Sequence, residues 1–153
     1  MQSKDFDYHI NKEGKTIEEF INSSPNIKLR KLMNEGYSTW DFSFQQGNII
    51  YLTEAKTRNC NHDKFSDTIL ELDKVNRLYA EVCKAIGSGI TSCKIKAGFL
   101  VKFNDGMYFI DMNKATTTMS IKFCPETTAE DNNANWKHKS LCHYKLDNAI
   151  KIN

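Results

Sequence analysis

A chain of 153 residues with 40% hydrophobic content can bury one core, and its formal net charge of +2 excludes recruitment of a polyanion by bulk positive charge alone. No apolar run approaches the about 18 residues of a membrane span, and Gln2 to Asp7 is polar, so no membrane partner is expected and the setting is a cytoplasm, that of the host if the protein is viral. Cys60, Cys83, Cys93, Cys124 and Cys142 lack paired spacing, which argues for reduced thiols over a disulfide framework; Cys60 with His62 and Cys142 with His143 also lack the spacing of common structural zinc motifs.

In chain order, a helical region opens with Thr16 as N-cap, puts Glu18 and Glu19 in its first turn where the helix dipole favours acids, and is interrupted at Pro25. A basic cluster of Lys28, Arg30 and Lys31 follows. Tyr37 to Phe44 alternates Trp40, Phe42 and Phe44 against Thr39, Asp41 and Ser43, which predicts a strand. Gln45-Gln46-Gly47-Asn48 supplies a turn, and a second β-rich run from Asn48 leads into Glu54-Ala55-Lys56. With a two- or four-residue turn, Asp41 faces Leu52 across the ladder, and Glu54 and Lys56 share that face because strand side chains alternate with period two. Asp41 and Glu54 are then diagonal neighbours, their Cβ atoms roughly 7 Å apart.

Asn59 to Lys64 reads as a polar loop at the substrate rim. Ser66 to Ile86 predicts an amphipathic helix with Ile69, Leu70, Leu72, Val75, Leu78, Tyr79, Val82 and Ile86 at helical spacing, capped by Ser66 or Asp63 and stopped at Gly87-Ser88-Gly89. Lys74 and Arg77 lie on it. Lys96 to Phe103 and Met107 to Met112 flank Asn104-Asp105-Gly106, a hairpin that extends the sheet. Thr116 to Phe123 reads as a further strand, Cys124 to Asn135 as a loop, and Lys139 to Lys145 as a last strand or arm; the segment is open to service as a lid, a dimerisation surface, or a DNA contact through Lys137 and Lys139.

Two carboxylates, with the Ala55 carbonyl, suit a hard cation such as Mg²⁺ or Mn²⁺ that keeps waters and accepts phosphate oxygens. Lys56 would stabilise charge on the transition state or orient and help deprotonate the attacking water. Arg58 and His62 are further candidates for phosphate contact, and an imidazole titrating near neutrality also suits proton transfer. The competing reading of an isolated Glu-x-Lys triplet is an exposed polar strand face.

Asp41, a short hairpin, then Glu54-x-Lys56 continued by Thr57-Arg58 resembles the PD-(D/E)XK phosphodiesterase superfamily, in a layout similar to small archaeal-type Holliday junction resolvases. The resemblance covers Thr16 to Met112. It implies an α/β, restriction-endonuclease-like αβββαβ core with a mixed central sheet flanked by helices, within a single domain over 1–153 whose core is 16–112 and whose residues 113–153 are a strand and loop extension. It also implies metal-dependent hydrolysis of nucleic acid, DNA before RNA, by an endonuclease. Asp41, Glu54 and Lys56 would be catalytic, with Asp41, Glu54 and Ala55 holding the metal. Glu18 or Glu19 would complete an outer shell, and Lys74 would approach from the following helix. Cutting a junction needs two such sites related by symmetry, hence a homodimer. Trp40 stands where the motif has proline, so the alternative is a non-catalytic module that grips nucleic acid or a protein on the same fold; a third reading is an interaction protein whose three polar residues are surface decoration.

Overall fold

Alternating and helical apolar patterns fold here into a layered arrangement, which a computed structural model describes for residues 4–32, 40–89, 91–115, 117–125 and 135–152. Helix α1 (Lys4–Asn22) leads to strands β1 (Lys28–Leu32), β2 (Phe42–Gln46), β3 (Ile49–Thr57) and β4 (Thr68–Glu71). Helix α2 (Leu72–Ser88) is followed by β5 (Lys94–Phe103), β6 (Gly106–Asp111), β7 (Thr117–Pro125), β8 (Trp136–Tyr144) and β9 (Ile150–Lys151). The six-stranded central sheet runs β1-β2-β3-β5-β6-β9 and is mixed: β3 and β5 are parallel across the α2 crossover, and the other neighbours are antiparallel. Apart from the inserted β4, this is the expected αβββαβ order. No helix among the described residues is long and apolar enough to cross a membrane.

Period-two alternation divides the core between the sheet's faces. Phe42, Phe44, Tyr51, Ala55 and Phe109 face α1 and pack with Ile17 and Phe20, and the Phe20, Phe44, Tyr51 and Phe109 rings meet at centroid separations of 5.0–5.9 Å. Leu52, Phe99, Val101 and Ile110 face the other way, onto Val75, Leu78 and Val82 of α2 and onto Leu70, Cys142 and Tyr144. Gly98 passes under this aromatic packing: a Cβ there would lie 2.7 Å from two carbons of the Phe109 ring. Gly98→Ala is therefore expected to cost about 1–3 kcal/mol, through displacement of a ring held on several sides, in a urea unfolding titration; an unchanged midpoint would show that Phe109 can move aside.

Four expectations change. Helix α1 starts well before Thr16, whose buried hydroxyl donates to the Lys12 carbonyl (3.2 Å) and meets Thr57 Oγ1 (3.0 Å), so Thr16 is an interior helical residue and not a cap. Residues 68–71 are strand and not helix, because Thr68 to Glu71 pair with Leu141 to Tyr144 and ladder hydrogen bonds to a distant segment outweigh local helical spacing. Helix α2 thus begins at Leu72, its N-cap Glu71 makes no side-chain cap, and Ile86 is exposed. Strands β4, β8 and β7 form a separate three-stranded antiparallel sheet, in which His143 bridges Asp67 (3.1 Å) and Ser120 (2.5 Å).

The fourth change is the hairpin register. The turn is the two residues Gly47-Asn48, with Gly47 at φ 59°, a left-handed conformation that glycine adopts without steric cost. The ladder ends where Phe42 pairs with Thr53, so Asp41, the residue just before it, comes beside Glu54, two residues further along than Leu52. Parity is unaffected, and Asp41 and Glu54 share a face as direct neighbours. Tyr37 to Thr39 and most of the expected loop from Cys124 to Asn135 lie outside the described residues.

Candidate active site

The site forms where β3 runs past the start of β2. Asp41 N–H donates to the Thr53 carbonyl (2.9 Å), and Ala55 N–H donates to the Asp41 carboxylate (2.7 Å), which clamps Asp41 against β3. N–H and C=O of one strand residue point the same way, so the Ala55 carbonyl also faces the Asp41 side. Glu54 is 4% exposed, and its Oε1 meets Lys56 Nζ at 3.2 Å and Lys74 Nζ at 3.1 Å. Lys56 Nζ also meets Glu13 Oε1 at 3.3 Å. Strand parity brings Glu54 and Lys56 to one face, the crossover helix adds Lys74, and α1 adds Glu13.

These groups perturb one another. Asp41 is raised from 3.8 to about 7 by burial and by the charges of Glu54 and Glu13, against the opposing pull of the Ala55 N–H and Lys56. Burial is the largest influence on Lys56 and works against its charge, yet Glu54, Glu13 and Asp41 together hold its pKa above the ordinary lysine value. Lys56 is therefore an ammonium at neutral pH in the metal-free protein. A buried carboxylate that has lost much of its acidity beside a second buried carboxylate is what cation ligands look like without their cation. The oxygen donors Asp41, Glu54 and the Ala55 carbonyl fit a hard divalent ion.

The sequence-derived candidates separate. Asp41, Glu54, Lys56 and Lys74 come together. Arg58 turns away: its guanidinium donates to the Ile69 carbonyl (2.7 Å) and its N–H to the Lys102 carbonyl (2.7 Å), bracing β4 against the central sheet. Burial lowers its pKa. His62 sits at the β5–β6 turn, with its ring Nδ1 2.6 Å from Asp105, its N–H donating to the same carboxylate (2.9 Å), and its ring stacked 5.3 Å from Tyr108. Asp63 completes a surface group of three with them, but His62 and Asp105 already satisfy each other. Glu18 is exposed and Glu19 pairs with Lys102, so neither reaches the cluster. Lys139 is buried against Glu71 (2.8 Å) and not displayed on an arm.

Glu13 is the residue the sequence reading missed. Glu13, Thr16, Ile17 and Phe20 stand at i, i+3, i+4 and i+7, the spacing of one helical face. A helix begun at Thr16 hides that signal. If the site cleaves nucleic acid as the motif's resemblance implies, Glu13→Gln is expected to lower cleavage about tenfold through a less well held Lys56, whereas Glu18→Gln leaves it unchanged; equal effects of the two in a cleavage assay would remove Glu13 from the site. Beyond the carboxylates the same face continues into an open groove lined by Trp40, Ser43, Leu52, Ile50 and Arg30.

A family model described as phage putative PDDEXK endonuclease matches residues 7–125. Among solved structures, the protein is similar to Hjc, a Holliday junction resolvase of the archaeal hyperthermophile Archaeoglobus fulgidus, at 15% identity over 69% of this chain and 77% of that chain, with a TM-score of 0.48. No curated protein matches the chain. The family match extends over well more than half of the 153 residues and takes in most of α1 together with Asp41, Glu54 and Lys56; the chain belongs to the phage putative PDDEXK endonuclease family.

Proposed function

We propose that the protein is a divalent-metal-dependent DNA endonuclease in which Asp41, Glu54 and the Ala55 carbonyl hold Mg²⁺ or Mn²⁺. The observation that carries this reading is the facing pair of carboxylates, with Glu54 buried and Asp41 raised to about 7 by burial and by its acidic neighbours. When bound, the cation would neutralise phosphate charge and lower the pKa of a water that serves as nucleophile. Lys56, held between Glu13 and Glu54, supplies an ammonium for the negative charge that builds on the phosphate. Its raised pKa speaks against a role as the base that deprotonates the water. Lys74, a half-exposed ammonium beside Glu54, is placed to contact a phosphate of the bound strand. Family membership supports nucleic acid as substrate, the preference for DNA follows the resolvase-like layout of the motif, and the place of action on this reading is the cytoplasm of an infected host.

One observation favours the alternative of a non-catalytic module. Lys56 and Lys74 both neutralise Glu54, the condition a metal-free variant of the site would need. Cleavage of labelled single-stranded, duplex and four-way-junction DNA, with an RNA control, in Mg²⁺, Mn²⁺ or EDTA separates the two. Metal-dependent cutting lost in both Asp41→Ala and Lys56→Ala is expected. Binding without cleavage, undiminished by Lys56→Ala, would install the non-catalytic reading instead.

A further inference from the structure

Strands β7 and β8 run on past the core as a two-stranded overhang. The face that buries Cys142 beneath α2 continues outward along the ladder, where Met119 pairs with Cys142, Ile121 with Ser140, Phe123 with His138 and Pro125 with Trp136. Along it Met119, Ile121, Phe123 and Trp136 are 63%, 72%, 58% and 58% exposed. The Phe123 ring centroid lies 5.6 Å from that of Trp136 and 5.1 Å from that of His138. Among the described residues β7 is also the outer strand of its sheet, so alternate backbone N–H and C=O groups along its nine residues face away from β8. A long outer strand with an apolar face is a template for another strand.

The chemistry selects the occupant. Lys122 is the one charged residue of β7 and lies on the opposite face, opposite Lys139 in the ladder, so the apolar row, with His138 as its one titratable side chain, offers a phosphate backbone no lysine or arginine. The sequence joining β7 to β8 carries Glu126, Glu130 and Asp131, which also disfavours a polyanion. The strand does, however, complement itself. A two-fold axis at Ile121 sets Ile121 against its own copy, Met119 against Phe123, and Ser120 against Lys122. No like charges then meet, and the two apolar rows merge into one.

We propose that two copies of the chain pair edge to edge through antiparallel β7 strands centred on Ile121, joining their three-stranded sheets into one continuous sheet. The pairing stands independently of the nuclease reading. If that reading also holds, the dimer carries two sites in a fixed symmetric relation, the requirement for cutting two strands.

Sedimentation equilibrium of the full chain at micromolar to submillimolar concentration tests it, with twice 17.6 kDa as the expected mass. Ile121→Lys sets two ammonium groups face to face and is expected to weaken association roughly 100-fold or more while leaving the circular dichroism unchanged. Phe65→Lys, at an exposed apolar residue outside β7, leaves the dimer intact. A second variant reads the register directly. Residues facing each other across an antiparallel ladder have Cα atoms about 4.5–5.5 Å apart, within the span a disulfide bridges. Oxidised Ile121→Cys is thus expected to crosslink to its own copy, whereas Met119→Cys and the parent with its five free thiols do not. A monomer at every concentration, a dimer indifferent to Ile121→Lys, or no Ile121→Cys crosslink overturns the proposal; a monomer whose Ile121→Lys variant loses DNA retention would give the face to nucleic acid.

Discussion

Lys56→Ala is expected to reduce metal-dependent cleavage by about 100- to 1000-fold, the loss seen when one preorganised donor to a developing oxyanion is removed. The argument rests on where the ammonium is held. Glu54 fixes it from the same strand at 3.2 Å and Glu13 from α1 at 3.3 Å. A group so restrained need not reorganise as charge builds on the phosphate, and its raised pKa keeps it charged at neutral pH. The loss should fall on kcat more than on KM, because the interaction strengthens as the reaction proceeds. Without metal the same substitution leaves Glu13 without this partner and Glu54 with Lys74 alone of the two, so the metal-free melting temperature should fall, and added Mn²⁺ should recover much of the difference. A KM effect with unchanged kcat would make Lys56 a substrate-binding residue only.

The second large effect concerns pH and metal together. Asp41 has an ordinary value of 3.8 and is raised to about 7 in the folded, metal-free protein. Between those values the folded protein holds a proton that the unfolded chain has released, so stability falls as pH climbs through that window and levels off above it. At about 1.4 kcal/mol per pH unit the contribution is on the order of 4 kcal/mol. Asp41→Asn carries no charge at any pH, and its amide oxygen still accepts from the Ala55 N–H. In EDTA the variant should gain on the parent as pH rises from roughly 5 to 8, whereas with Mg²⁺ or Mn²⁺ at the upper end the parent alone should be stabilised. Metal affinity of the parent should rise with pH up to about 7, where Asp41 becomes ionised. Urea titrations across this range, with and without metal, read both effects; parallel stability profiles for parent and variant would mean that Asp41 is not held protonated.

Parts of this site are legible in the chain because they depend on local geometry. Strand side chains alternate, so any β-hairpin of even turn length places Asp41, Glu54 and Lys56 on one face, whatever the rest of the molecule does. The parity was therefore readable even though the register was not: whether Asp41 meets Leu52 or Glu54 depends on which two residues turn, and Gly47 settles that through a left-handed φ. The α2 stripe of Val75, Leu78 and Val82 is legible for the same reason, as helical periodicity is encoded within a few turns.

The remainder required the tertiary structure, since it turns on pairings between segments far apart in sequence. Ile69 and Leu70 fit a helical stripe as well as a strand, and Cys142 and His143 decide between them by offering a ladder. Arg58 and His62 look like free cationic groups in the chain; the Ile69 carbonyl and Asp105 claim them in the fold. Lys74 reaches Glu54 because the crossover helix returns over the sheet, and Glu13 reaches Lys56 because α1 docks through Ile17 and Phe20 on the opposite face. By itself, then, the sequence determined the order and parity of the Asp, Glu and Lys residues and the α/β class, which follow from short-range backbone geometry. Only the tertiary structure decided which acid of α1 faces the cluster and which cations remain to meet a substrate, because burial and hydrogen bonding between distant segments choose among partners that local spacing leaves equivalent.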